Sequence, residues 1–399
     1  MPAAADREFD VVLLGATGFT GGLTAEYLAR HAPAGLRWAI AGRNEVKLKR
    51  VREHLATIDP ALGSLPTLIA DATRPVTIGD AARRTRVVAS TVGPFLEYGE
   101  PLVAACAEAG TDYADITGEP EFVDRMFLAH HDLAVETGAR LVHCCGFDSI
   151  PHDLGARFTV HQLTGGDPDF DQPITMRGVV RSSGTFSGGT FHSALAAMAR
   201  QRVAKQVFAE RRRAEGRPAG GRRSRAVAAK PQRDGVLGYW LLPLPTIDPI
   251  VVARSGAALP AYGPDFRYSH FAGTKTLRYA AGGAVGVTAL AAGAQVKPVR
   301  EFLQSKVPQG SGPDPKRRAR SWFTVDFVAE SADGRQARTR VHGGDPGYDE
   351  TAKMLAESAL CLAFDDTPET SGQVTTAVAM GEALTTRLQN AGIDFSVKD

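Results

Sequence analysis

Short apolar runs alternate with segments of helical spacing through the first 150 residues. Phe9–Leu14 (FDVVLL) is a Val-rich run that ends at a glycine, the pattern of a strand covered on both faces. Residues 23–29 then return to helical apolar spacing. Residues 36–40, 67–70, 87–91, 113–117 and 140–144 repeat the strand signal at intervals that leave room for a helix between them. This alternation predicts an α/β protein whose N-terminal part is a doubly wound parallel sheet, closing near Pro151.

The second half mixes its periods. Residues 173–180 read as a strand, and the glycine-rich stretch 187–190 as a turn that caps or opens a helix. Residues 311–320 form a Pro, Gly and basic linker. Residues 322–330 and 336–342 predict a hairpin turning at Asp333 and Gly334, and residues 348–363 and 373–389 predict two helices. Three units are expected: residues 1–151, a second α+β domain with a mixed or antiparallel sheet over 152–370, and a C-terminal helix over 371–399 that returns to the first domain. The second unit is expected to carry substrate and oligomer contacts, with a homodimer as the expected assembly.

The chain has 399 residues, 43% hydrophobic and 23% charged, with a formal net charge of +2. That balance fits a globular protein and gives no overall nucleic-acid footprint. The arginine-rich stretch 200–225 is the one local exception and reads as a basic helix running into a loop. Four cysteines without a CxxC pair suit a reducing compartment, and no signal-peptide pattern opens the chain, so a cytoplasmic protein is expected. Residues 279–296 carry no charge and just reach the ~18 residues at which a membrane helix must be weighed. Their alanines and glycines favour a buried or interface helix, with peripheral membrane contact second.

The candidate chemistry begins at Gly15, Ala16, Thr17, Gly18, Phe19, Thr20 and Gly21 (GATGFTG), placed between the first strand and the first helix. Gly15 permits the tight turn, Gly18 the approach of a pyrophosphate, and Gly21 close packing of helix on sheet, the Rossmann arrangement for a dinucleotide. At the end of the second strand stand Arg43 and Asn44, where an NAD site usually carries an acid. A guanidinium there favours the 2′-phosphate of NADP(H). Asp71, after the third strand, falls near the adenine or caps a helix, and Thr91, Val92, Gly93 and Pro94, after the fourth, fall near the ribose and nicotinamide. Gly118 follows the fifth strand.

GATGFTG, AGRN, TVGPF with Tyr98, AGTDYADITGE and CGFDSIPHDLG occur in one order and spacing. On these motifs the chain resembles the saccharopine dehydrogenase-like family, within it a branch of trans-acting enoyl reductases. That resemblance implies an NADPH-dependent reduction of a 2-enoyl thioester, presented on a carrier domain of a polyketide synthase during lipid assembly.

Enoyl reduction needs a positioned nicotinamide, a donor to the carbonyl oxygen and a proton for Cα. Tyr98, Asp148, Ser149 and His152 lie just beyond predicted strand ends and are the candidates for donor or acid. The ten histidines show no metal-ligand spacing, so no catalytic metal is expected, and no GxSxG elbow supports a hydrolase. Three classes stay open: an acyl-chain enoyl reductase, another NADP-dependent dehydrogenase of amino-acid or imine type, and a non-catalytic NADPH-binding, lipid-associated scaffold.

Overall fold

The computed structural model describes residues 6–184, 188–306 and 312–399. Six parallel strands are built from the first 142 residues: β1 Phe9–Leu14, β2 Trp38–Gly42, β3 Thr67–Ile69, β4 Thr85–Ser90, β5 Asp112–Asp115 and β6 Arg140–Val142. Their order is β3-β2-β1-β4-β5-β6, so the chain reverses its winding between β1 and β4. A ligand crevice forms beyond the carboxyl ends of strands at such a switch point. Every residue of β1 is buried, as its unbroken apolar run requires.

The second sheet is mixed. It contains β7 Ile174–Ser182, β8 Arg223–Ala226, β9 Gln232–Arg233, β10 Trp240–Pro243, β11 Asp265–Thr274, β12 Phe323–Ser331 and β13 Gln336–Gly343. The central β7 runs parallel to β11 and antiparallel to β12. β12 and β13 form the hairpin expected around Asp333 and Gly334, and Gly334 supplies the positive φ of 89° that the turn needs.

The end of the chain departs from a single helix over 373–389. Gly372–Val374 is a strand, β14, added in parallel to β6 as the seventh strand of the first sheet. Thr376–Ala379 and Gly381–Asn390 are separate helices, and Asp394–Val397 is a strand, β15, at the edge of the second sheet beside β13. The breaks fall at Gly372 and Gly381, whose φ values of 80° and 45° interrupt any continuous right-handed path. The tail therefore contributes a strand to each sheet.

Two buried layers hold these sheets. On one face of the first sheet Val12, Leu14, Val88 and Leu141 pack with the helices Pro75–Arg83, Glu100–Ala109 and Pro120–Thr137. On the other, Val11, Leu13, Ile40, Val87 and Ala89 share one continuous core with Phe323, Val325, Phe327 and Val341 of the second sheet. The helices Ile150–Thr164 and Asp349–Phe364 carry that core between the sheets.

The basic stretch after residue 200 forms the helix Gln201–Glu215, on which Arg202, Arg212 and Arg213 are exposed while Arg211 is buried. Arg200 donates to both Glu121 carboxylate oxygens, and the buried Arg211 donates to Glu215 and Asp124 and lies 4.2 Å over the Phe127 ring. These contacts bind the helix to Pro120–Thr137 of the first domain. Residues 277–295 form one helix, and among the described residues no helix is long and apolar enough to cross a membrane. Within the expected linker, Pro315–Arg318 forms a short helix; residue 311 lies outside the described residues, as does residue 187 of the expected glycine-rich turn.

Candidate active site

The glycine cradle forms at the switch point. Gly15 has φ 94°, and a Cβ there would stand 2.5 Å from the Thr91 hydroxyl. At Gly21 a Cβ would stand 2.1 Å from the Gly15 carbonyl oxygen, well inside contact distance. Gly18 caps the helix Phe19–His31, whose first-turn amides have no intrahelical acceptors, as an anion-binding helix start requires. Thr91 clamps the loop: its amide donates to the Leu14 carbonyl at 3.0 Å, and its hydroxyl lies 3.3 Å from the Leu14 and Gly15 carbonyls. Ala16 is buried, so it can offer only backbone, and Phe19 packs edge-on against Tyr348 at 4.9 Å. Thr17 flanks Gly42 at the end of β2, and the Thr20 carbonyl accepts from Thr24.

Arg43 is exposed beyond the end of β2, free to meet a 2′-phosphate. Asn44 caps the helix Glu45–Ala56, accepting from the Lys47 amide at 2.9 Å, so its side chain already has a structural task. Asp71 accepts from the amide and hydroxyl of Thr73, and these bonds hold its carboxyl below its ordinary value. It turns the chain after β3 without capping the helix that follows, whose cap is Arg74.

Val92, Gly93 and Pro94 lead from β4 into the short helix Phe95–Tyr98, where Tyr98 is 39% exposed. Glu119, two residues beyond the expected Thr117 strand end, fixes this loop. Its carboxylate accepts from the Phe95 and Leu96 amides and from the Ser193 hydroxyl on the helix Gly188–Ala199. Gly118 leaves room beside it, since a Cβ there would lie 3.2 Å from Asp148 Oδ2.

Asp148, Ser149 and His152 come together after β6, and Tyr98 stands apart on the β4 loop. Asp148 is half-buried, and burial with the neighbouring Asp248 charge pushes its carboxyl up to about 7. Ser149 and His152 are 0% and 1% exposed. His152 belongs to a group that sequence reasoning missed. Its Nδ1 lies 3.2 Å from Asp248 Oδ1, while His270 Nε2 lies 3.6 Å from Asp248 Oδ2. Neither approach forms a hydrogen bond, and both His152 nitrogens, His270 Nε2, Asp248 Oδ1 and Ser149 Oγ are buried without a partner. Each such atom costs about 1–3 kcal/mol if nothing meets it. Burial lowers both imidazoles, His270 to about 3, so both are neutral at pH 7. The three residues come from a helix after β6, a helix start at 248 and β11, separations that no spacing rule links. Only the sequence TIDP, a helix-start signature with Thr246 and Asp248, marks one of them.

Residues 11–142 match the model of the saccharopine dehydrogenase NADP binding domain. The chain is 36% identical over 416 residues to a trans-acting enoyl reductase of Mycobacterium tuberculosis, covering 98% of this chain and 97% of that protein. It is also 36% identical over 413 residues to one of Mycobacterium leprae, covering 97% of each. Among solved structures, the apo saccharopine dehydrogenase (L-Glu forming) of Saccharomyces cerevisiae superposes with TM-score 0.57 at 11% identity, covering 98% of this chain and all of that one, a likeness of fold. The tight turn that Gly15 and Gly21 allow, with the uncapped amides at the start of the helix Phe19–His31, fits a dinucleotide pyrophosphate, and the cofactor is NADP(H). The chain is an NADP-dependent oxidoreductase and belongs to the saccharopine dehydrogenase-like family, in the company of the mycobacterial trans-acting enoyl reductases.

Proposed function

We propose that the protein reduces the α,β double bond of a 2-enoyl thioester with NADPH, the acyl chain being presented on a carrier domain during assembly of a polyketide-derived lipid. The observation that carries this reading is likeness over nearly the whole chain to enoyl reductases, substrate domain included, joined to the strand-end cradle. Bound NADPH supplies a hydride to Cβ, leaving an enolate whose Cα takes a proton, so the thioester gains two hydrogens. Glu119 fixes the loop that carries Tyr98 after β4, and Asp148 follows β6, so both residues lie beyond the carboxyl ends of the same sheet with β5 between them. Tyr98 and Asp148 divide the tasks of donating to the thioester carbonyl oxygen and protonating Cα. Ser149 and His152, both buried, are given neither task.

The test uses crotonyl-pantetheine and NADPH deuterated at the transferred position. Deuterium is expected at Cβ and a solvent hydrogen at Cα. Tyr98→Phe and Asp148→Asn are each expected to lower kcat by about 10²-fold or more with NADPH affinity intact. A variant within twofold of the unaltered protein removes that residue from the mechanism.

A further inference from the structure

The group beyond the crevice offers donors that nothing in a hydride transfer uses. His152 lies on the helix Ile150–Thr164, Asp248 opens the helix Asp248–Ala258, and His270 lies on β11. Asp248 and His270 are 2% and 5% exposed. One donor atom from each of the three lies within 4.8 Å of the other two. From this convergence we propose that His152, Asp248 and His270 bind one divalent transition-metal cation, with zinc the ion the donor set suits best.

The spacing supports a shared ion over direct bonds. Zinc holds nitrogen and carboxylate oxygen at ~2.0–2.2 Å, which sets neighbouring tetrahedral donors ~3.4 Å apart. Asp248 Oδ1 stands 3.2 Å from His152 Nδ1 and Asp248 Oδ2 stands 3.6 Å from His270 Nε2, so each imidazole faces its own carboxylate oxygen at close to that separation. Neither pair forms a hydrogen bond, so His152 Nδ1, His270 Nε2 and Asp248 Oδ1 remain without a partner.

The surroundings are those of a ligand set held in place. The Tyr268 hydroxyl lies 3.2 Å from His270 Nδ1, which leaves Nε2 to face Asp248. Thr246 donates to Asp248 Oδ2 at 2.5 Å and orients the carboxylate. Outer partners of this kind fix ring and carboxylate direction in metal sites. The Phe147 ring packs edge-on to His152 at 5.4 Å and is half-buried, as is Asp148 beside it. A buried carboxylate needs a balancing charge, and an ion held by the two imidazoles would supply it at Asp248.

The proposal is independent of the substrate, because its readout is metal. The full-length protein purified without chelator, with no histidine tag, is expected to hold about one zinc per chain by elemental analysis. Stripping with a chelator should lower Tm, and added Zn²⁺ should restore it. Co²⁺ added to the stripped protein should give the visible ligand-field absorption of a low-coordinate nitrogen and oxygen site. His270→Gln should lose at least about ninefold of the metal while its NADPH affinity reports an intact fold. An unaltered protein that carries no stoichiometric metal, and whose Tm ignores added Zn²⁺ and Co²⁺, overturns the site. Unchanged metal content in a folded His270→Gln overturns it as well. Where His270→Gln fails to fold, the cobalt spectrum of the unaltered protein decides.

Discussion

Replacing Gly21 by alanine weakens NADPH binding by about 100-fold or more, close to 3 kcal/mol. The added Cβ would stand 2.1 Å from the Gly15 carbonyl oxygen and 2.7 Å from the Thr91 hydroxyl. A backbone carbonyl cannot swing aside as a long side chain can, so the helix Phe19–His31 must lift from β1 or the Gly15 turn must open. Either movement carries the first-turn amides away from the pyrophosphate they are built to face. Gly22→Ala is the control, since its Cβ would meet only the Ala16 carbonyl at 3.8 Å, an ordinary contact. Fluorescence titration of NADPH should show the first variant impaired and the second near the unaltered protein. Equal affinity in both variants would mean that the cofactor does not sit on this helix start.

Arg43→Asp reverses the coenzyme preference. Arg43 is exposed beyond β2, and its guanidinium is free to make charge-assisted bonds to a 2′-phosphate, worth about 1.5–3 kcal/mol. An aspartate at the same place repels that phosphate and accepts from the ribose hydroxyls of NADH instead. The ratio of NADPH to NADH affinity should therefore fall by roughly 10²-fold or more, and by less as salt is raised, because the site is open to solvent. An unchanged ratio would place the 2′-phosphate elsewhere.

Much of the first domain was legible in the sequence because its signals are local. A buried parallel strand is a continuous apolar run, and its cofactor turn needs glycines at fixed places, so Phe9–Leu14 and the cradle from Gly15 to Gly21 identify each other. The hairpin at Asp333 and Gly334 was readable for the same reason. The tail was not. Residues 373–389 show helical spacing, but β14 is only three residues long and gains its stability from pairing with β6, a partner 230 residues away in sequence that no local pattern reveals. The basic helix was readable and Arg202, Arg212 and Arg213 on it are exposed, but charge alone could not show that Arg200 and Arg211 meet carboxylates of another helix.

The catalytic surroundings divide along the same line. Tyr98 and Asp148 could be proposed because they follow strand ends. Glu119, Asp248 and His270 could not, since their parts depend on elements that meet only in the folded chain. His152 was visible as a residue beside the crevice, but its full burial and its two carboxylate and imidazole neighbours emerge only from the packing of β11 against the helices Ile150–Thr164 and Asp248–Ala258.

The most direct measurement is NADPH oxidation by the purified protein with a 2-enoyl pantetheine thioester, followed by mass detection of the product. The account predicts stoichiometric conversion to the saturated thioester, two hydrogens heavier than the substrate. Tight NADPH binding without any saturated product, across short and long acyl chains and with the same thioesters on a carrier domain, would contradict it.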